Sequence, residues 1–220
     1  MAVSSRALAL AAVALAASLA ASAQLRSSQP EAASGWTPKQ LATAKKYMVA
    51  AAHPLAVEAG LRMLERGGSA VDAMVATQLV LNLVEPSSSG IGGGAFLLYY
   101  DARHRKLYAY DGREVAPSGA TPQLFVQPDG KPMAFAEARV GGRSVGVPGT
   151  PRLLELAHVR HGKLPWKALF EPALQVAEKG FPLSPRLHRL AAEDQGLADQ
   201  PAARAYFFGD DGKPKPVGTV

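Results

Sequence analysis

Hydrophobic and polar positions first follow a regular pattern near residue 48. The apolar residues 48–52 are followed by His53 and Pro54, which predicts a short buried strand that ends there. The next apolar residues have helical spacing, set by Leu55, Leu61 and Leu64. Gly67 and Gly68 end that helix, because glycine takes up left-handed backbone angles at little cost. The pattern therefore predicts a strand followed by a helix.

A second helix is predicted over residues 70–84. Ser69 and Asp72 have the spacing of a capping box, in which a hydroxyl and a carboxylate bind the first free amides of a helix. No charged residue lies between Asp72 and Glu85, and Pro86 prevents the helix from continuing. Because a helix that is apolar on all sides is a buried helix, we expect this segment to lie inside the fold.

The glycine-rich residues 90–95 satisfy G-x-G-x-x-A, the loose form of the dinucleotide-binding pattern. That pattern binds a pyrophosphate only when a strand enters the turn and a helix leaves it. Here the predicted order is reversed, since a helix enters and the apolar residues 96–100 leave as a strand. We therefore reject a nucleotide site and expect the glycines to provide positive φ angles and close approach of the backbone.

Residues 96–100 and 106–111 are predicted to pair as a hairpin across the turn at 101–105. The densest basic cluster, at residues 103–106, lies in that turn and contains no interleaved aromatic residue. A solvated turn explains this cluster better than a nucleic-acid patch.

The segment "DGREVAP", residues 111–117, places one arginine directly after the second strand. A guanidinium matches both oxygens of a carboxylate, so Arg113 is a candidate carboxylate clamp. It could equally form a structural ion pair with Glu114. The residues alone leave both interpretations open.

The second half of the chain contains more helix starts and few strands. Pro151 and Pro185 occupy first helical positions after Thr150 and Ser184. The helices have apolar faces that need a partner layer, formed by Leu153, Leu154, Leu156, Leu187 and Leu190. Too few strands are visible for two sheets, and an extended stretch at 215–220 stops abruptly, so we expect a truncated chain whose missing part supplies the rest.

Other motifs give weaker signals. His158 and His161 form H-x-x-H, which places two rings on one helix face as a zinc pair would need, but no third ligand is evident. Surface histidines near a helix end are the preferred interpretation. Asp210 and Asp211 lack the spacing of a calcium loop and are predicted to form a turn. We expect no metal and no cofactor.

Composition and the N-terminal residues indicate the size of the core and the destination of the protein. The chain has 220 residues, 48% hydrophobic and 19% charged, with a net charge of +6, enough apolar material for one core. Residues 1–23 have a single charge, Arg6, before an apolar run that ends in Ala21-Ser22-Ala23. This run is shorter than a transmembrane helix and ends in a small-x-small site, so it predicts a signal peptide cleaved after Ala23 rather than a stable membrane anchor.

Without disulfides, the stability of an exported chain must come from packing. The chain has no cysteine, which excludes disulfides, thiolate metal sites and cysteine nucleophiles. Residues 24–46 are polar and punctuated by proline and glycine, so they are predicted to be a linker with a short helix at 38–46. We expect a periplasmic or secreted protein.

Two blocks together resemble a known family. The stretch "MVAAAHPLAVEAGLRMLERGGSAVDAMVATQLVLNLVEPSSSGIGGGAFLLYY", followed by "DGREVAP", is similar to the start of the large subunit of γ-glutamyltransferases, also called glutathione hydrolases. The similarity continues through "SVGVPGTPRLLELAHVRHGKLPW" and "PALQVAEKGFPLS", covering residues 47–220. Ser69 stands where the family usually has asparagine, and Met74 where alanine is common.

The resemblance implies an α/β (α+β) fold, the αββα sandwich of N-terminal-nucleophile hydrolases, with only its N-terminal portion present. It implies transfer of a γ-glutamyl group from glutathione or related amides to water or an amino acid, through an acyl-threonine. The threonine would begin a small subunit released by self-cleavage, with its own α-amino group as base. By the same resemblance, Arg113 would bind the α-carboxylate of the γ-glutamyl group.

The family's nucleophile has no counterpart among these residues. It lies in a T-T-H-like context beyond the equivalent of residue 220, and no threonine of this chain sits in such a context. We therefore expect no catalytic residue here and a small subunit as partner. Two alternatives stay open, a related acylase acting on β-lactam side chains and a non-catalytic exported α/β module.

Overall fold

Two packed helices joined by residues 66–69 form the centre of the core. The computed structural model of the protein describes residues 40–194 and 196–220. Residues 43–220 group as one unit. Helix α1 is Pro54–Glu65 and helix α2 is Ala70–Val84. Gly67, with φ of 85°, ends α1 as predicted. Its amide and that of Gly68 donate to the carbonyls of Leu64 and Met63.

The predicted capping box begins α2. The Asp72 amide donates to Ser69 Oγ at 3.1 Å, and the Ser69 amide donates to Asp72 Oδ2 at 2.7 Å. Most of α2 is buried, including Val75 and Val80. Gly60 of α1 allows the close packing of the two helices, because a Cβ there would collide with the hydroxyl of Thr77.

A single hairpin forms the described sheet. Strands β1, Ala95–Asp101, and β2, Lys106–Gly112, pair antiparallel with Leu98 opposite Ala109. One face of the hairpin packs on the core through side chains that include Leu97, Tyr99 and Tyr110. The opposite face is exposed and carries Phe96, Leu98, Tyr100 and Leu107. The predicted hairpin is confirmed.

The regular elements described after the hairpin are helices. They are α3 (Phe135–Ala138), α4 (Thr150–His161), a 3₁₀ helix (Trp166–Phe170), α5 (Glu171–Lys179), α6 (Pro185–Glu193) and α7 (Pro201–Phe207). A 3₁₀ turn is formed by Gly142–Ser144. Helices α4 and α6 start at the predicted positions, and Leu153, Leu154 and Leu187 are buried.

Two predicted elements near residue 47 are wrong. The short helix at 38–46 is absent over its described residues 40–46, which have no regular structure and are exposed. Residues 48–52 are not a strand either, although Val49 and Ala51 pack on the core while Met48 and Ala50 are exposed. A strand requires a hydrogen-bonded neighbour, and within the described chain residues 48–51 have no such neighbour.

The predicted signal peptide and most of the predicted linker lie outside the described residues. Among the helices that are described, none combines the length and the apolar character needed to span a bilayer.

Candidate substrate-binding site

Arg113 follows β2 directly and points largely into solvent. Its side chain is 70% exposed, and its Nε lies 3.1 Å from Glu114 Oε2. Its backbone amide donates to Asp111 Oδ1 at 2.9 Å, which fixes the turn out of the strand. In the described part of the chain, no other ion pair or hydrogen bond holds its terminal guanidinium nitrogens. The ion pair with Glu114, one of the two interpretations left open by the sequence, therefore exists, and it leaves one edge of the guanidinium accessible.

Glu114 is packed against the glycine loop, residues 90–94. A Cβ added to Gly94 would lie 2.5 Å from Glu114 Oε2 and 2.7 Å from its backbone nitrogen. On another side, a Cβ added to Gly146 would lie 2.8 Å from Glu114 Cβ. Real Cβ atoms do not approach other atoms so closely, so glycine is required at both positions. Glu114 therefore packs on backbone at Gly94 and Gly146, while a third of its side chain stays exposed.

The glycine loop is also joined to the start of α4. The carbonyl of Gly93 accepts hydrogen bonds from the Gly149 amide, the Thr150 amide and Thr150 Oγ1, each at 3.1 Å. Next to them, Val115 and Val147 form an isolated antiparallel bridge, with the Val147 amide donating at 2.9 Å. Three chain segments therefore cross beside Arg113.

This crossing explains the glycine run. The predicted order of helix, glycine loop and strand is confirmed, because α2 enters the loop and β1 leaves it. Close approach of the backbone is also as predicted at Gly94. The expected use of positive φ is wrong for this loop, since none of its glycines has a φ in the left-handed region.

Polar contacts that the sequence did not predict fix the entrance of the loop. Gln78 Nε2 donates to Asn82 Oδ1 at 2.9 Å and to Ser89 Oγ at 2.6 Å, and Ser89 Oγ donates to Asn82 Oδ1 at 2.8 Å. Gln78 and Asn82 are four positions apart on α2, so both face Ser89. The spacing of Gln78 and Asn82 is the one feature of the sequence that indicates this contact.

A second unpredicted contact reaches the same loop entrance from α6. Arg186 Nη1 donates to the buried carboxylate of Glu85 at 2.6 Å, and Nη2 donates to Ser88 Oγ at 3.2 Å. The contact spans about a hundred residues of sequence, which is why no local pattern indicates it.

The histidine pair has a structural environment. His158 Nε2 lies 2.9 Å from the Leu164 carbonyl and 3.5 Å from Asp72 Oδ1. His161 Nε2 lies 2.6 Å from Tyr110 Oη, and its ring lies 4.2 Å from that of Tyr99. The expectation that these are surface histidines is therefore wrong, because both rings are partly buried in packing contacts.

The remaining motifs lie in turns, as predicted. Residues 103–106 include the turn between β1 and β2, where the side-chain hydrogen bond with His104 lowers the pKa of Asp101. Asp210 and Asp211 also lie in a turn. Within residues 40–194 and 196–220, no three acidic or histidine side chains converge as a metal site would require.

Comparisons with known proteins agree with one another. The family model described as gamma-glutamyltranspeptidase matches residues 56–220. The glutathione hydrolase proenzyme of Bacillus subtilis is 44% identical over 170 residues, which cover 77% of this chain and 29% of that protein. The chain therefore spans less than a third of that relative's length.

Solved structures give the same result. The gamma-glutamyltranspeptidase of Helicobacter pylori superposes with a TM-score of 0.74 at 31% identity, covering 82% of this chain and 51% of that one. A cephalosporin acylase from Bacillus halodurans has a TM-score of 0.68 at 30% identity, covering 88% and 36% of the respective chains. These neighbours confirm the predicted fold class, of which the described residues form a mixed helix-and-strand part with one small sheet. The chain belongs to the γ-glutamyltranspeptidase family.

Proposed function

We propose that this chain is the substrate-binding, N-terminal part of an exported γ-glutamyltransferase or glutathione hydrolase. The whole enzyme transfers the γ-glutamyl group of glutathione and related amides to water or to an amino acid. The observation that carries this proposal is Arg113, which presents an accessible guanidinium edge directly beside the glycine crossing.

Arg113 recognises the substrate rather than reacting with it. Its guanidinium receives the α-carboxylate of the γ-glutamyl group through two parallel hydrogen bonds. Glu114 holds Nε, so the guanidinium plane is oriented before the substrate arrives. This contact anchors the substrate by its α-carboxylate and so keeps the γ-carbonyl within reach of a nucleophile.

The nucleophile is supplied by a segment outside these residues. Its threonine hydroxyl adds to the γ-carbonyl, the amine leaves, and water or an amino acid then displaces the threonine from the acyl ester. Within the described chain, Thr77 and Thr150 are buried and cannot take this role. The relative from Bacillus subtilis is named a proenzyme, which supports a precursor that is processed before it is active.

The domain organisation follows from the same proposal. Residues 1–23 are a signal peptide, residues 24–46 a linker, and residues 47–220 the N-terminal part of the large subunit. The family match over residues 56–220 supports the last assignment.

Substitution of Arg113 in the complete enzyme that carries this segment tests the proposal. Arg113→Ala removes a bidentate charged contact and should lower kcat/KM for γ-glutamyl-p-nitroanilide, mainly by raising KM. The lost transition-state stabilisation should be on the order of 2–4 kcal/mol. Arg113→Lys should recover only part of this loss, because an ammonium cannot form two parallel bonds.

Arg103→Ala is the matched control, since it removes an exposed arginine at the far end of the hairpin. It should leave the kinetics unchanged. If Arg113→Ala destabilises the fold but changes KM by less than about threefold, Arg113 is only a structural ion-pair partner and the proposed function is wrong at this site.

A second candidate is an acylase that cleaves β-lactam side chains, which the similarity to the cephalosporin acylase favours. A clamp for an α-carboxylate favours amino-acid substrates. Preference for a cephalosporin side-chain amide over a γ-glutamyl amide in the same assay would support the acylase instead.

A further inference from the structure

Thr150 is a buried polar residue at the start of α4. It is 1% exposed, and its Oγ1 donates to the carbonyl of Gly93 at 3.1 Å, alongside its own amide and that of Gly149. No side chain caps the N-terminus of α4. Instead, the carbonyl of Gly93, 57 residues earlier in the chain, accepts hydrogen bonds from the start of the helix, and these bonds fix the carbonyl in its position.

A short path of contacts leads from this carbonyl to the clamp. Gly94, the next residue, packs on the backbone nitrogen and carboxylate of Glu114. The same carboxylate oxygen, Oε2, lies 3.1 Å from Arg113 Nε. A shift of Gly93 therefore moves the surface against which Glu114 rests, and Arg113 depends on Glu114 for its orientation.

We propose that Thr150 is a positioning residue for substrate recognition: its hydroxyl fixes the Gly93–Gly94 backbone, which fixes Glu114 and so the guanidinium of Arg113. This role rests on the proposed function of Arg113. It assigns Thr150 no contact with the substrate and no part in bond making.

Thr150 offers a conservative set of variants. Thr150→Val keeps the shape and removes the hydroxyl, whereas Thr150→Ser keeps the hydroxyl and removes a methyl group. The two amide donors to Gly93 remain in both variants. A difference between the two variants therefore reports on the hydroxyl itself.

The experiment uses the complete enzyme that carries this segment and two donors, γ-glutamyl-p-nitroanilide and 4-aminobutanoyl-p-nitroanilide. The second donor lacks the α-carboxylate. Loss of one hydrogen bond predicts a KM for the first donor raised roughly 3- to 10-fold in Thr150→Val, with kcat nearly unchanged. Thr150→Ser should behave like the unmodified enzyme, and neither variant should affect the second donor.

A double-mutant cycle with Arg113→Ala shows whether the effect of Thr150 depends on Arg113. If Thr150 acts through Arg113, then Thr150→Val should have no further effect once Arg113 is alanine. Equal losses with both donors, or additive losses in the cycle, would show that Thr150 only stabilises the fold. Should Thr150→Val fail to fold, Thr150→Ala goes through the same cycle.

The two proposals can be separated in this experiment. If Arg113→Ala leaves the preference for the γ-glutamyl donor unchanged, the proposed function is wrong. The role of Thr150 is then wrong as well, because it depends on the function of Arg113. If Arg113→Ala abolishes the preference while Thr150→Val does not weaken it, only the role of Thr150 is refuted.

Discussion

The sequence identifies Arg113 by its position at the end of a strand, but it does not show the contacts that orient the side chain. The neighbour Glu114 is visible in the sequence as an ion-pair partner. Its packing against Gly94 and Gly146 is not visible, because those residues lie on segments that meet only in the folded chain. Residue type and local position therefore make Arg113 a candidate clamp, whereas the backbone that surrounds Glu114 is set by tertiary structure.

The two histidines of α4 also show that local sequence does not identify tertiary contacts. His158 and His161 share a helix face, which the sequence shows, but what that face meets decides their role. The partners are the Leu164 carbonyl beyond the end of α4 and Tyr110 on β2. Both contacts belong to packing, so each histidine is partly buried.

His53 gives a prediction about pH. Its Nδ1 accepts a hydrogen bond from the Leu55 amide at 3.2 Å and so caps α1, which only the neutral ring can do. Burial lowers the pKa of His53 below 6.5, against a smaller opposing effect of Glu85. The unfolded chain therefore binds more protons than the folded chain just below pH 6.5. This stabilising contribution is fully present above pH 6.5 and is lost as the pH falls from there through the lowered pKa of the folded state.

Denaturant unfolding of the protein and of His53→Asn, compared between about pH 7.5 and about pH 5, measures this effect. Asparagine also caps helices but does not titrate in this range. The unmodified protein should lose more stability than His53→Asn on acidification. Equal losses would mean that the cap does not titrate.

At the scale of elements, the predictions of α1, α2, α4 and α6 were right because the signals of these helices are local, whereas the predicted helix at 38–46 is absent over its described residues 40–46. The capping box of Ser69 and Asp72, the glycine after α1 and the prolines that begin α4 and α6 all lie within one turn of the boundary they mark. The predicted strand at 48–52 failed because a strand depends on a neighbour that local sequence does not supply. The hairpin succeeded because its partner is only a turn away.

The glycine loop predicts a sharp difference between two neighbouring substitutions. Gly94→Ala places a methyl group against the backbone nitrogen of Glu114, which cannot move aside as a flexible side chain would. We expect a loss of about 1–3 kcal/mol in the free energy of unfolding, typical of overpacking. Gly92→Ala is the control, because nothing lies within 4 Å of its added Cβ.

Denaturant unfolding of both variants measures the difference. The control should stay within about 0.5 kcal/mol of the unmodified protein. If the two variants are equally stable, the crossing of the glycine loop with Glu114 does not require glycine.

At the scale of the whole molecule, the described chain leaves apolar surface exposed. Phe96, Leu98, Tyr100 and Leu107 lie on one face of the hairpin and are each more than half exposed. Contiguous apolar surface on a soluble protein usually contacts another part of the protein or a partner. This agrees with a chain that spans 29% of the length of its Bacillus subtilis relative.

A further prediction concerns export of the whole chain. We expect the mature protein to begin at Gln24, because Ala21-Ser22-Ala23 has the small residues that a signal peptidase requires. The intact mass of the protein recovered from the periplasm or the medium tests this start. A form that retains residues 1–23 in the membrane fraction would indicate an anchor instead.

The central claim is that this chain binds the γ-glutamyl group while another segment attacks it. Turnover of γ-glutamyl-p-nitroanilide by the purified 220-residue chain, with and without the C-terminal half of a complete relative, tests that division most directly. The account predicts no turnover by the chain alone, and turnover with the added half that is lost on Arg113→Ala. Sustained turnover by the chain alone would contradict it, because the nucleophile would then lie within these residues.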